Sequence, residues 1–196
     1  MSQDAQEIMT QTNPDASPDT SRENGVESVY EWVGAAIFSL TFVVLVFTFL
    51  FRIVGVVGSS MNPTLYNGER LIIQRLGYTH VQRGDIVIVN RYVEEPLVKR
   101  VIAVGGDRLQ IDDETGEVRI NGEVIDEPYI QGITHSLGFG PLEQTVPEGC
   151  VFVMGDNRQR SKDSRYMDEV GFVDEEDLIG KAIFRFLPIN KMGSVS

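Results

Sequence analysis

The strongest pattern in the sequence is one long apolar segment near its N-terminus. Trp32 to Phe51 carries no charged residue and is bracketed by Glu31 and Arg52. As a helix rising about 1.5 Å per residue, this run spans about 30 Å, the thickness of a bilayer's hydrocarbon core. A cleaved signal peptide would need a basic leading region and a shorter apolar stretch, and a buried core helix is the other alternative. We therefore predict a transmembrane helix over residues 29–52.

The segments at the two ends of the chain are too polar to form a core. Residues 1–28 are rich in Gln, Asp, Ser, Thr, Asn and Pro and nearly lack aromatic side chains, a composition typical of disorder. We predict a disordered acidic tail over residues 1–28 and a flexible C-terminus over residues 191–196. Residues 1–31 carry a formal charge of −6, so the positive-inside rule does not support a cytoplasmic N-terminus.

The remaining chain alternates short β-rich segments with turn residues, and Asn121-Gly122 is a strong hairpin signal. A short helix is expected at Asp174–Leu178, with Asp174 as its N-cap. The pattern predicts a mainly β domain of folded antiparallel sheets or barrel-like form over residues 53–190. The predicted strands are Ile53–Val57 (or the end of the helix), Arg70–Gln74, Asp85–Asn90, Leu97–Val104, Arg108–Ile111, Val118–Ile120, Glu123–Ile125, Cys150–Met154 and Lys181–Phe186.

Charge and cysteine content exclude several classes of function. The formal charge is −12 and the pI about 4.6, which provides no electrostatic footprint for a nucleic acid. The single cysteine, Cys150, cannot form an intramolecular disulfide. With only His80 and His135 beside it, the sequence predicts no metal site and no cofactor.

A candidate nucleophile lies shortly after the apolar segment. Ser60 belongs to the sequence Gly-Ser-Ser-Met-Asn-Pro-Thr-Leu, which starts at Gly58. Gly58 permits a tight backbone and Pro63 restricts the chain just beyond, so we expect Ser60 on a constrained turn near the bilayer surface. Such a turn can hold a hydroxyl beside a main-chain N–H donor, although a plain loop has the same composition.

A candidate base is Lys99 in the predicted strand Leu97–Val104. Strand alternation places Lys99 on one face with Leu97, Val101 and Ala103. Burial of that face would lower the pKa of the amine and make it a usable base, whereas a lysine at a strand edge would reach into water and stay charged. Neither histidine lies in a sequence neighbourhood that favours it as the base. Arg100 points to the opposite face and needs a buried partner of its own.

Taken together, three segments resemble the sequence boxes of type I signal peptidases. The likeness extends from the apolar segment to about Pro188 and leaves out the acidic tail. The three segments are Gly58 to Leu65, Lys99-Arg100 followed by Val104-Gly105-Gly106-Asp107, and Gly155-Asp156-Asn157-Arg158 with Ser161 and Asp163-Ser164-Arg165.

The resemblance implies a role for each matching position. Ser60 would be the nucleophile and Lys99 its general base, and Ser161 would donate or accept the hydrogen bond that orients the lysine. The main-chain N–H of Ser60 would bind the oxyanion. Gly58 stands where some members carry a serine as a second donor, a variant common in Gram-positive bacteria. The structural residues near the site would be Asp163 and Arg165 as an ion pair, with Arg100 and Asp156.

The same resemblance implies the biological setting. The expected reaction is acyl transfer, in which an endopeptidase removes signal peptides from secretory preproteins that carry small residues before the scissile bond. The catalytic domain would face outward from the cytoplasmic membrane, bound to the lipid bilayer by one helix. The expected oligomeric state is a monomer, and nucleic acid is not expected as a partner.

Two other functions fit parts of the pattern. The first is a self-cleaving Ser/Lys protease of the repressor type, against which the membrane segment and the absence of a DNA-binding module argue. The second is a membrane-tethered β domain that binds exported proteins without catalysis, against which the complete set of candidate groups argues.

Overall fold

The computed structural model describes residues 20–75, 78, 80–90, 96–138 and 142–195, with side chains from residue 29 onward. The chain divides into two compact units, with the boundary between Leu45 and Val46. The first unit consists of helix in its described part, and the second contains the β strands.

One helix, α1, runs from Thr20 to Leu50. Within it Val29–Leu50 is long and apolar enough to cross a membrane, with a mean hydropathy of 2.5 and no residue of its apolar window buried. The helix begins at Thr20 instead of at residue 29, so residues 20–28 do not belong to a disordered tail as predicted. Extending an existing helix adds one hydrogen bond per residue and avoids the cost of a new nucleus. The predicted tail over residues 1–19 lies outside the described residues.

The second unit is built from antiparallel strands, which confirms the predicted mainly β fold. The strands are β1 Phe51–Gly55, β2 Arg70–Gln74, β3 Ile86–Val89, β4 Leu97–Val104, β5 Arg108–Ile111, β6 Val118–Ile120, β7 Glu123–Val124, β8 Leu142–Thr145, β9 Cys150–Met154, β10 Val173–Asp174, β11 Leu178–Leu187 and β12 Gly193–Ser194. The larger sheet has the order β1-β2-β11-β3-β4-β9-β10, with β12 paired to β11, and the smaller sheet has the order β7-β6-β5-β8.

Two local predictions are corrected. The segment predicted as a short helix is a single 3-10 turn, Glu175–Asp177, and the side chain of Asp174 makes no capping bond. The Asp174 carboxylate instead accepts a hydrogen bond from the thiol of Cys150 at 3.2 Å, because β10 pairs Asp174 directly with Cys150.

The C-terminal residues are ordered where a flexible end was predicted. The strand Gly193–Ser194 pairs with β11, and Val195 is buried in a hydrophobic cluster with Val56, Met61 and Leu65. An apolar side chain at this position gains more by entering the core than it loses in chain entropy. Of the predicted flexible segment, only residue 196 lies outside the described residues.

That cluster positions the Ser60 turn. Met61 and Leu65 are 1% and 0% exposed, and the N–H of Leu65 donates to the carbonyl of Met61 at 2.8 Å. Two buried side chains therefore hold the turn that carries Ser60, and burial of each contributes roughly 2 to 3 kcal/mol to the stability of the fold.

Candidate active site

Ser60 lies on a turn that leaves β1 and is fixed at its start by a glycine. Gly58 has a φ of +86°, a conformation that side-chain-bearing residues rarely adopt. Its N–H donates to Oδ1 of Asn67 at 3.0 Å. Ser60 itself is half-buried, and its main-chain N–H makes no hydrogen bond within the part of the chain that the structure describes. That N–H is available to a substrate carbonyl.

Lys99 lies in β4, an interior strand of the larger sheet flanked by β3 and β9. Its side chain is 2% exposed, and Nζ donates a hydrogen bond to Oγ of Ser60 at 2.9 Å. This distance is within the range over which a general base takes a proton. The two side chains come together from positions separated by 39 residues.

The predicted alternation along β4 holds only as far as Val101. The pairing with β9 is irregular between Val101 and Ala103, and Ala103 packs in the same cluster as Ile102. Both faces of the strand are buried, so Lys99 is surrounded by protein and the alternative of an exposed edge lysine is excluded.

The environment of Lys99 favours the neutral amine. Burial lowers the pKa of Lys99 from 10.5 to about 8, because desolvation disfavours the ammonium ion. The carboxylates of Asp163 and Asp156 act in the opposite direction and raise this pKa, whereas the guanidinium of Arg165 lowers it. The two histidines, His80 and His135, are exposed.

The loop after β9, residues 155–158, holds the Ser60 turn in place. The main-chain N–H of Asn157 donates to the carbonyl of Ser60 at 2.9 Å, and its side-chain amide donates to the carbonyl of Ser59 at 3.2 Å. A Cβ on Gly155 would collide with the Ser60 carbonyl oxygen and the Ser161 side chain. Only a glycine lets the loop approach Ser60 this closely.

Arg100 finds its partner in the same loop. Its Nε and Nη2 donate to the two oxygens of Asp156, each at 2.9 Å, and both side chains are almost fully buried. The hydroxyl of Thr64, four residues after Ser60, also donates to Asp156 at 2.5 Å. Asp156 thus joins the Ser60 turn to the strand that carries Lys99. Such bidentate pairs fix geometry as well as charge.

Asp163 and Arg165 form the ion pair that the resemblance implied. Nε and Nη2 of Arg165 donate to the Asp163 oxygens at 2.8 and 2.9 Å, and both side chains are 0% exposed. The N–H of Gly155 also donates to Asp163 at 3.0 Å. The pair therefore braces the base of the 155–158 loop.

Ser161 differs from expectation. Its hydroxyl is buried but has no hydrogen-bond partner among the described residues, so the implied bond to Lys99 is absent here. The hydroxyl lies against Gly155, and Nζ of Lys99 is directed to Ser60 instead. The structure therefore places Ser161 beside the site without showing it orienting the lysine.

Sequence reasoning missed a second layer of buried polar residues around this loop. Arg158 pairs with Glu127, and the two side chains are 0% and 6% exposed. The ring of Tyr129 lies over the guanidinium of Arg100, 3.9 Å from the ring centre. Arg158 lies within a segment that the sequence singled out, but nothing in the local pattern around Glu127 and Tyr129 marked them as members of this layer.

Among the described residues, no group of three or more His, Cys, Asp or Glu side chains could hold a metal ion.

Comparison with known proteins decides the family. Residues 29–187 match the family described as signal peptidase, peptidase S26. The chain belongs to the signal peptidase family. A signal peptidase I of Bacillus licheniformis is 40% identical over 86% of this chain and 94% of its own length. Signal peptidase I T of Bacillus subtilis strain 168 is 38% identical over 83% and 87%, and signal peptidase IB of Staphylococcus aureus strain COL is 31% identical over 84% and 93%.

The resemblance drawn from the three sequence segments is thus confirmed. Membership in the signal peptidase family makes the protein a serine endopeptidase, and its single apolar helix, Val29–Leu50, fits a membrane-bound enzyme of this family.

Proposed function

We propose that this signal peptidase removes N-terminal signal peptides from secretory preproteins, with Ser60 as nucleophile and Lys99 as general base. One observation carries the assignment: the buried amine of Lys99 lies 2.9 Å from the hydroxyl of Ser60. A serine hydroxyl is a weak nucleophile until an adjacent base accepts its proton.

The lowered pKa of Lys99 makes the amine competent near neutral pH. With a pKa of about 8, about one tenth of the amine is neutral at pH 7, roughly 300-fold more than for a lysine with a pKa of 10.5. Neutral Lys99 takes the proton of Ser60 as Oγ attacks the scissile carbonyl. The resulting ammonium protonates the leaving amine, and the neutral amine then activates the water that hydrolyses the acyl-enzyme.

The main-chain N–H of Ser60 is the oxyanion donor in this proposal, since no described residue accepts its hydrogen bond. Gly58 does not supply a second donor, because it has no side chain and its N–H is donated to Asn67. Although this structure contains no bond between them, Ser161 is proposed to orient the Lys99 amine, because its buried hydroxyl lies beside the site and has no hydrogen-bond partner among the described residues.

The buried ion pairs are proposed to hold this geometry. Arg100 with Asp156 joins β4 to the nucleophile turn, and Asp163 with Arg165 supports Gly155. Rigid support of this kind matters because a misplacement of 1 Å can cost about 100-fold in rate.

The membrane helix brings the enzyme to the bilayer that holds its substrate. Ser60 follows Leu50, the last residue of the apolar helix, by only ten residues, so the nucleophile and the membrane-bound signal sequence are tethered to the same bilayer and their effective concentration rises. We place the catalytic domain on the extracytoplasmic side of the cytoplasmic membrane, where exported cleavage sites emerge. A monomer suffices, because one chain contributes both Ser60 and Lys99.

The test is cleavage of a purified preprotein by the full-length enzyme in detergent. Ser60→Ala and Lys99→Ala should abolish processing while the variants remain folded. Ser59→Ala, at the neighbouring hydroxyl, and Lys162→Ala, at an exposed lysine, are matched controls that should retain it. Near-normal processing by Lys99→Ala at pH 7 would exclude the lysine-base mechanism.

A further inference from the structure

A buried carboxylate that the proposed mechanism does not use lies against the 155–158 loop. Glu127 accepts hydrogen bonds from Nη1 of Arg158 at 3.0 Å and from Nη2 at 2.5 Å. The hydroxyl of Tyr129 donates to the same carboxylate at 2.9 Å. Burying a carboxylate is costly unless its oxygens accept hydrogen bonds. Here Arg158 and Tyr129 both donate to the Glu127 carboxylate.

Tyr129 extends this network to the strand that carries Lys99. Its ring covers the guanidinium of Arg100 at 3.9 Å, an arrangement that stabilises a cation against an aromatic face. Burial raises the pKa of Tyr129 above its usual value, so its hydroxyl stays protonated and remains a donor to Glu127. Arg100 in turn binds both oxygens of Asp156.

The main chain of Gln131, which follows Glu127 and Tyr129 in the chain, also binds the loop directly. The N–H of Gln131 donates to the carbonyl of Asp156 at 2.7 Å, and the N–H of Arg158 donates to the carbonyl of Gln131 at 3.0 Å. The loop held between these bonds carries Asn157, whose N–H donates to the carbonyl of Ser60. Hydrogen bonds and short lengths of main chain therefore connect Glu127 to Ser60 through Arg158 and the loop.

We propose that Glu127 is a positioning residue for the Ser60–Lys99 pair: it holds Arg158 and Tyr129, which together fix the loop that supports Ser60. This inference rests on the proposed mechanism and adds to it a residue outside the three segments that resemble the family. Loosening the loop would move Ser60 relative to Lys99 and admit water to the amine.

The decisive variant is Glu127→Gln in the full-length enzyme, measured by kcat, KM and the pH profile of kcat/KM on a preprotein. We expect kcat to fall at least about tenfold with KM within about twofold, because geometry at the reacting atoms is lost while substrate binding is kept. The acidic limb of the profile should move to higher pH, since water at Lys99 relieves its desolvation.

A matched control is Glu143→Gln, which removes the same charge from an exposed ion pair with Arg108 and should leave all three quantities unchanged. A merely structural effect of Glu127→Gln would lower the folded fraction and the apparent kcat but would leave the midpoint of the pH profile where it is. The midpoint therefore separates positioning from stability.

Tyr129→Phe is the second variant, because it keeps the ring over Arg100 and removes only the hydroxyl bond to Glu127. It should change kcat and the midpoint in the same direction by a smaller amount. Wild-type kcat and midpoint in folded Glu127→Gln would overturn the proposal, and if that variant does not fold, wild-type values in Tyr129→Phe would do so. Retained turnover in Lys99→Ala would instead count against the underlying mechanism, so the two failures are distinguishable.

Discussion

The electrostatic account of the site is tested most fully by Asp163→Asn. The Asp163 carboxylate is 0% exposed and accepts two hydrogen bonds from the guanidinium of Arg165, one from the main-chain N–H of Arg165 and one from the N–H of Gly155. Asparagine keeps the shape of the side chain but removes the charge and turns an amide NH2 toward these donors. The buried guanidinium of Arg165 is then left without its counter-ion.

The expected loss of stability in Asp163→Asn is large. Removing one partner of a buried pair destabilises a protein by about 3 to 5 kcal/mol. For a chain of this size each kcal/mol shifts the Tm by about 2 to 4 °C, which predicts a decrease of roughly 6 to 20 °C. Thermal unfolding of the detergent-solubilised protein, followed by circular dichroism, measures this. Asp168→Asn, at an exposed position a few residues further along, should change stability by no more than about 0.5 kcal/mol.

The same variant should shift the pH dependence of activity in a defined direction. Asp163 raises the pKa of Lys99 and Arg165 lowers it. Loss of the carboxylate therefore moves the pKa of Lys99 below about 8, and the acidic limb of kcat/KM, measured well below the Tm, moves to lower pH. A limb that moves to higher pH, or an unchanged Tm, would refute the electrostatic reasoning.

Two glycine substitutions separate close packing from backbone conformation. Gly155→Ala places a Cβ against the Ser60 carbonyl and the Ser161 hydroxyl, so kcat should fall by about 100-fold. The control is Gly193→Ala, which has open space around the new Cβ and should leave kcat unchanged in the same assay. In Gly58→Ala the new Cβ meets no neighbouring atom, but the residue must keep a φ of +86°. The free energy of unfolding should therefore fall by about 1 kcal/mol while kcat stays unchanged. A lower kcat would assign the Gly58 backbone a part in catalysis.

Strands with an alternating or continuous apolar pattern were predictable from the sequence. The bounds of β2, β4 and β9 agree with the prediction, because the apolar residues that form their buried faces are visible in the local sequence. β8, Leu142–Thr145, was missed: most of its residues are exposed, and it is a strand only because β5 pairs with it across a long stretch of chain. Such pairing leaves no local signal.

The candidate site was predictable as a set of residues but not as a geometry. The pairing of Arg100 with Asp156 spans 56 residues and that of Lys99 with Ser60 spans 39, so the local sequence could offer these residues as candidates, and the resemblance to a family assigned them to one site. The resemblance also implied a bond from Ser161 that this structure does not contain. The role of Glu127 could not be predicted, because an acidic residue before a proline is typical of an exposed loop.

The central claim is that a desolvated amine at Lys99 removes the proton of Ser60. The pH dependence of kcat/KM on a preprotein tests it most directly, because the acidic limb reports the free enzyme's essential base. We expect a single acidic limb with a midpoint near pH 8, as the pKa of Lys99 requires. A midpoint near 6.5, the range of an ordinary histidine, or a rate that rises without a plateau up to the pKa of an exposed lysine would contradict it.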